Sequence, residues 1–171
     1  MKTFKEFIME AKLKKIAWNK NPDIGWWEDQ KILTLYHGTH IKNIPFIEKS
    51  GIDRPDPETG MISMALEPNT AFGYASMSGI GGEAEFRKAG KKVVSTPPKE
   101  RAVFVAEIPI DWVKKNYDNN LRGNLKKQKL HMQSKDEYEK FSGLDVLYYQ
   151  MTELRFKKPI PSKFIKGYMI K

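Results

Sequence analysis

The sequence predicts an α+β fold, and three features support this prediction. Apolar runs rich in β-prone residues occur at positions 32–36, 61–66 and 102–108. Short stretches with helical spacing lie between these runs, without the regular strand–helix alternation that builds a parallel sheet. The chain has 171 residues, of which 40% are hydrophobic, so it can build one domain with a real core.

The first ten residues predict a short amphipathic helix. Thr3 and Glu6 form a capping box, in which each side chain can bond the backbone N–H of the other residue. One apolar stripe then follows at helical spacing: Phe4, Phe7, Ile8 and Ala11. A helix this short needs a partner surface, because isolated helices below about 12–15 residues are marginal in water.

Residues 11–31 form an N-terminal extension of mixed composition. An Asn-Pro-Asp turn at 21–23 breaks any helix that enters it. The extension also holds three tryptophans, Trp18, Trp26 and Trp27. These rings either cover the edge of the core or stack on a base or a substrate.

The first clear strand ends abruptly in His-Gly-Thr at 37–39, which places an imidazole at the lip of a sheet. A helix is expected next, because Asn43 can cap it and Pro45 fits its first turn. Gly51 should end this helix, and Ile52 can make the closing apolar contact.

The remaining elements are predicted from the same signals. A strand at 61–66 precedes a short helix that begins at Asn69 or Thr70 and carries Tyr74. The run at 102–108 is the clearest strand, and a helical turn is expected at 111–117. A capped helix at 134–141 and strands at 144–149 and 153–156 complete the prediction.

Composition excludes several classes of protein. The chain has no cysteine, so it has neither disulfides nor a thiolate metal site. No apolar run approaches the roughly 18 residues that a membrane span needs, so no membrane partner is expected. Its 30 basic and 21 acidic side chains give a net charge of +9, which favours polyanionic partners or simply keeps the protein soluble.

Three stretches resemble the ADP-ribosyltransferase family, in particular its branch with a His–Tyr–Glu triad. They are His-Gly-Thr at 37–39, the strand and tyrosine-bearing helix at 62–75, and Glu153 followed by alternating apolar residues and Pro-Ile-Pro at 159–161. Their order matches the family, and the resemblance spans about residues 32–165. It implies two packed β-sheets with short flanking helices around an NAD cleft.

The resemblance also implies a role for each residue of the triad. Glu153 would be the catalytic glutamate, His37 would bond the nicotinamide ribose, and Tyr74 would stack on the nicotinamide. The cofactor-binding set would be Tyr36, His37, Gly38, Thr39, Ser63 and Tyr74. NAD would be the substrate, and no metal is required because nicotinamide leaves as a neutral molecule.

The acceptor of ADP-ribose is left open by the sequence. Arginine-specific members of the family carry a second glutamate two residues before the catalytic one, and Met151 occupies that place here. A transferase that is not arginine-specific is therefore expected, acting on a host protein or nucleic acid.

The first ten residues resemble the capsid-targeting leader of internal head proteins of T-even-type phages. Ile8-Met9-Glu10-Ala11 fits the cleavage pattern of the prohead protease, with the cut after Glu10 and before Ala11. This predicts a leader (1–10), an extension (11–31) and a transferase domain (32–171). It also predicts the prohead protease, the capsid core and the packaged DNA as partners, in the virion interior and later in the host cytoplasm.

Three other interpretations stay open at this point. The first ten residues could be an ordinary N-terminal helix that packs on the domain. The chain could be a non-enzymatic basic internal protein that binds DNA or inhibits a host defence nuclease. It could also resemble an RNA 2′-phosphotransferase, although His40 and Arg155 are poor substitutes for the phosphate-binding residues of that family.

Overall fold

The computed structural model describes residues 13–18, 30–55, 60–76, 96–118 and 153–171. The strands in this part of the chain are β1 (Lys14–Lys15), β2 (Ile32–His40), β3 (Ile62–Ala65), β4 (Arg101–Pro109), β5 (Glu153–Phe156) and β6 (Ile165–Met169). The α-helices are α1 (Ile44–Ser50), α2 (Pro68–Tyr74) and α3 (Ile110–Asn116). The predicted α+β class is confirmed.

All six described strands belong to one mixed sheet in the order β1-β6-β4-β2-β3-β5. The edge strand β1 runs parallel to β6, and the other neighbours are antiparallel. The prediction of two packed sheets is therefore wrong for the described residues. In this part of the chain, helices cover both faces of the sheet.

Helices lie on both faces of the sheet. On one face, α1 contributes Ile44 and Ile47 and α3 contributes Val113 to a large core that includes Phe104 of β4. On the other face, α2 contributes Ala71 to a smaller cluster. That cluster also contains Tyr36, Ala65, Val103, Val105 and Met169. The chain thus builds three layers, with the sheet in the middle.

The strongest sequence signals are confirmed in the central strands. The apolar run at 102–108 is strand β4, extended by one residue at each end, and all but one of its residues between Ala102 and Ile108 are buried. Helix α1 ends at Gly51, which has φ +80° and donates its N–H to Ile47 at 2.9 Å, as predicted. Ile52 then pairs with Ile160 and closes the core on that side.

Asn43 is the N-cap residue of α1 and Pro45 lies in its first turn, as predicted, whereas the predicted start of α2 is one or two residues late. The Asn43 side chain donates to Thr39 Oγ1 at 2.7 Å, however, and makes no capping hydrogen bond. Helix α2 begins at Pro68, before the predicted Asn69 or Thr70, because proline is pre-organised for the first helical turn.

The N-terminal extension contributes to the sheet, which the sequence did not predict. Lys14 pairs with Gly167, and a Cβ on Gly167 would collide with the Lys14 carbonyl oxygen. Trp18 packs on the smaller cluster, with its ring 5.5 Å from that of Phe72 in an edge-on arrangement. This agrees with the prediction that Trp18 covers the edge of the core.

Several predictions concern residues outside the described part of the chain. They are the leader at 1–10, the helix at 134–141, the strand at 144–149 and the tryptophans Trp26 and Trp27. Within the described ranges, no helix has the length and apolar character needed to cross a membrane.

Candidate active site

The candidate site lies where two blocks of the sheet meet. Strand β2 pairs with β4 along its whole length, and β3 pairs with β5 along its whole length. Between the two blocks, the described residues share the single register pair Tyr36–Ala65. On the His37 side of this pair, the described residues of β2 and β3 form no further register pair. We call this place the β2–β3 notch, bounded by residues 37–40 of β2 and 62–64 of β3.

The imidazole of His37 bridges the notch. Its Nδ1 lies 3.0 Å from the backbone carbonyl oxygen of Ser63. Because a carbonyl oxygen can only accept, Nδ1 carries the proton and Nε2 is left as an acceptor. Burial lowers the pKa of His37, and the bond to Ser63 opposes that shift to a smaller extent. The ring is therefore neutral near pH 7 and offers Nε2 to a donor.

Gly38 has a packing role that the sequence did not reveal. A Cβ at this position would collide with the Ala71 carbonyl oxygen and lie 3.0 Å from the Ala75 nitrogen. The backbone of α2 therefore lies directly on β2, and a larger residue has no room. The family resemblance explains this glycine by close approach of a ligand, but the contact with α2 is a sufficient reason by itself.

Thr39 and His40 hold the fold together rather than face an open site. Thr39 is buried, and its hydroxyl accepts the hydrogen bond from Asn43. His40 is also buried, and its Nδ1 accepts from the Lys42 N–H at 3.0 Å. Its Nε2 therefore carries the proton and donates to Glu100 Oε2 at 3.1 Å. Both side chains fix the turn that follows β2.

The two tyrosines of the predicted site lie on the face that α2 covers. Tyr36 is buried there, and burial raises the pKa of its phenol, which stays neutral at physiological pH. Tyr74 is half-buried at the last position of α2 and packs on the cluster that contains Tyr36 and Ala65. Ser63 is half-buried on β3, where its backbone oxygen serves His37.

Glu153 opens β5 directly opposite Ala65. It is 7% exposed, and its Oε1 accepts from Arg155 Nε at 2.7 Å and from Arg155 Nη2 at 2.6 Å. The predicted alternation along this strand is confirmed, because Leu154 and Phe156 enter the large core on the opposite face. Sequence reasoning gave Glu153 a role and gave its partner Arg155 none, although their i, i+2 spacing on a strand already put both on one face.

The triad residues surround the Tyr36–Ala65 pair from both faces of the sheet. Alternation along β2 puts His37 on the face of Phe104, its partner in β4. Glu153 shares the other face with Ala65 and Tyr74. A ligand bonded by His37 and Glu153 together would therefore have to enter the β2–β3 notch.

Three residues of the sequence prediction lie outside the described part of the chain: Glu10, Ala11 and Met151. In the described residues, no three His, Asp or Glu side chains converge as metal ligands do. No protein-family model matches the chain, and no curated protein matches it closely enough to be a relative.

Proposed function

We propose that this protein transfers ADP-ribose from NAD to a host macromolecule and releases nicotinamide. The observation that carries the proposal is Glu153, a buried carboxylate at the start of β5, one strand away from the carbonyl that orients His37. A buried carboxylate is unusual unless it is paired or functional. Glu153 is paired with Arg155, and it lies opposite Ala65, the one residue of β3 that is in register with β2.

The reaction needs little from the protein. The bond between the nicotinamide nitrogen and ribose C1′ breaks, and its electron pair leaves with nicotinamide, which becomes neutral. The ribose acquires oxocarbenium character, the acceptor attacks C1′, and the acceptor proton goes to solvent or to a nearby base. Glu153 stabilises the growing positive charge, because a preorganised carboxylate in a site of low polarity interacts strongly with it.

Neutral His37 suits the binding of the ribose. With Nδ1 committed to Ser63, its Nε2 accepts from a ribose hydroxyl in the notch. Tyr74 at the end of α2 offers its ring to the nicotinamide, and aromatic stacking contributes about 1–3 kcal/mol per ring. Tyr36, Gly38 and Ser63 all lie within two residues of the Tyr36–Ala65 pair along their strands.

The proposed setting is the head of a phage. The leader at 1–10 would direct the chain into the prohead, where the protease cuts after Glu10. The net charge of +9 suits a capsid filled with DNA, since DNA attracts basic proteins without regard to sequence. The protein would then enter the host cytoplasm with the DNA and modify a protein or a nucleic acid, with arginine disfavoured as the acceptor.

An RNA 2′-phosphotransferase is less well supported. That activity needs free cationic side chains to hold phosphates. His40 donates to Glu100, and Arg155 is bonded to Glu153. Both residues that would have to serve this function are engaged by carboxylates.

The proposal is tested by incubating the full chain with radiolabelled NAD and host extract. We expect release of nicotinamide and transfer of label to a macromolecule. Glu153→Gln should lower kcat by about 10²–10³-fold with little change in KM for NAD, because glutamine keeps the shape and loses the charge. Glu107→Gln is the matched control, since Glu107 is half-exposed on β4 and pairs with Lys166 at 3.4 Å.

Glu153 is buried and ion-paired, so denaturant unfolding of both variants must accompany the kinetics. Wild-type rates in a folded Glu153→Gln variant would refute the assigned mechanism. A wild-type chain that leaves NAD intact under the same conditions would refute the transferase altogether, and would favour a non-enzymatic basic protein.

A further inference from the structure

The ion pair between Arg155 and Glu153 has a geometry that bears on catalysis. Two nitrogens of one guanidinium, Nε and Nη2, both reach the same carboxylate oxygen, Oε1. The planar guanidinium holds its N–H groups in fixed directions, so two bonds to one oxygen restrict the rotation of the carboxylate. We infer that Arg155 is a positioning residue that orients Glu153 for the reaction, and this inference rests on the proposed function.

The second carboxylate oxygen supports this assignment. No described residue donates to Glu153 Oε2, although the glutamate as a whole is 7% exposed. A carboxylate has about four acceptor positions, and the guanidinium uses those of Oε1. Arg155 thus fixes the group and leaves one oxygen for a hydroxyl of the ribose.

The backbone of Arg155 is also held in place by a hydrogen bond. Its carbonyl oxygen accepts from the Asp118 N–H at 2.7 Å, and Asp118 is itself buried and lies 3.4 Å from Lys157. Residues 117–118 thereby bind the outer edge of β5, which keeps the strand in place.

The strand pair β3–β5 contacts His37 and contains Glu153. Arg155 lies opposite Ser63 in the register of β3 and β5. The carbonyl of Ser63 accepts from His37, and the guanidinium of Arg155 bonds Glu153. His37 and Glu153 are therefore located by one β3–β5 unit, so a shift of that unit would displace both.

A purely structural ion pair would have little effect on turnover. The Arg155 side chain is 30% exposed and that of Glu153 only 9%, so loss of the pair also costs stability and unfolding must be measured beside turnover. Arg155 also brings positive charge towards the oxocarbenium, which opposes catalysis. Its benefit must therefore come from orientation, and misplacement of a reacting group by about 1 Å can cost about 10²-fold in rate.

Three variants separate orientation from stability: Arg155→Met, Arg155→Lys and the control Lys158→Met. Arg155→Met should lower kcat by about 10–100-fold with KM for NAD nearly unchanged, because the carboxylate still exists but rotates. Arg155→Lys should fall between this variant and wild type, since lysine keeps the charge but not the two-pronged geometry. Lys158→Met also removes a cation near β5, from an exposed side chain, and should retain wild-type turnover.

Added guanidinium ion gives a readout that a structural role would not move. In Arg155→Ala, the vacated place is partly open to water, and millimolar guanidinium should restore part of kcat, while sodium at equal ionic strength should not.

Wild-type kcat in Arg155→Met would overturn the inference and leave the transferase standing. The inference would also be overturned if Arg155→Met and Arg155→Lys lost kcat equally and the loss tracked the unfolding midpoint of each variant. Absence of NAD turnover in wild type would instead refute the proposed function, and this inference with it.

Discussion

His37 and His40 lie three residues apart and carry their protons on opposite ring nitrogens. Ser63 fixes the proton of His37 on Nδ1, and the Lys42 N–H fixes that of His40 on Nε2. Both nitrogens of His40 are engaged within the fold, while Nε2 of His37 has none of the described residues as a donor. His40 is therefore fully engaged within the fold, whereas His37 can still accept a hydrogen bond from a ligand.

The pKa of His37 predicts how stability depends on pH. Burial lowers the folded-state pKa below the unfolded value of about 6.5. The unfolded chain therefore binds a proton first on acidification, so stability falls as the pH drops below about 6.5 and is fully present above it. Urea unfolding at pH 7.5 and 5.5 should show a larger loss for wild type than for His37→Gln.

The His37→Gln variant separates the effect of titrating the histidine from the effect of losing its hydrogen bond. Glutamine can still donate to the Ser63 carbonyl, so the variant removes the ionisable group while keeping a bond across the notch. Equal losses of stability in the two proteins between pH 7.5 and 5.5 would show that His37 does not cause the pH dependence.

At the scale of single residues, the sequence predicted which side chains share a face of a strand but not the contacts that hold them there. The alternation along β5 correctly placed Glu153 and Arg155 together, because strand geometry is local. The bond between them depends on side-chain conformation, and the collision that excludes a side chain at Gly38 comes from a helix more than 30 residues later. Neither can be read from a local pattern.

At the scale of elements, the packing of α2 on β2 depends on Gly38. Gly38→Ala would push a methyl group into the backbone of α2 at Ala71, and a helix backbone cannot move aside as a side chain can. We expect a loss of about 1–3 kcal/mol in the free energy of unfolding, the usual cost of overpacking. Denaturant unfolding monitored by circular dichroism measures it.

Gly73→Ala provides the matched control within the same helix. A Cβ at Gly73 meets nothing within 4 Å, and alanine favours a helix over glycine by up to about 1 kcal/mol. This variant should be unchanged or more stable. If both substitutions shift stability equally, close packing of β2 on α2 is not what selects Gly38.

The strands differ in how well the local sequence predicts them. Strand β4 is an uninterrupted apolar run in the middle of the sheet, so its pattern alone is sufficient. Strand β6 contains Lys166 and Gly167, and β1 is two lysines. These two become strands because neighbours supply their hydrogen bonds, which is a tertiary effect that β-propensity does not capture.

For the whole molecule, the proposed cleavage is compatible with the sheet. A cut after Glu10 precedes Leu13, which packs on the core, and Lys14, where β1 begins. We expect the chain in purified particles to begin at Ala11, as measured by mass spectrometry. The first ten residues hold two lysines and two glutamates, so the mature chain keeps its charge of +9.

Two glutamates in the leader allow a matched comparison. Glu10→Gln should leave an uncut chain in the particle, because the protease pattern requires glutamate before the cut. Glu6→Gln alters the same segment by the same chemical change and should still be processed. A full-length N-terminus in particles that carry the wild-type gene would remove the leader interpretation.

The pairing of β1 with β6 also sets an order of events during synthesis. About 150 residues separate Lys14 from its partner Gly167. At roughly 5–20 residues per second, a ribosome needs on the order of 10–30 s to deliver β6 after β1 has emerged. Until then β1 lacks the strand with which it pairs in the described part of the sheet. Strand β1 can therefore join the sheet only after β6 has been synthesised.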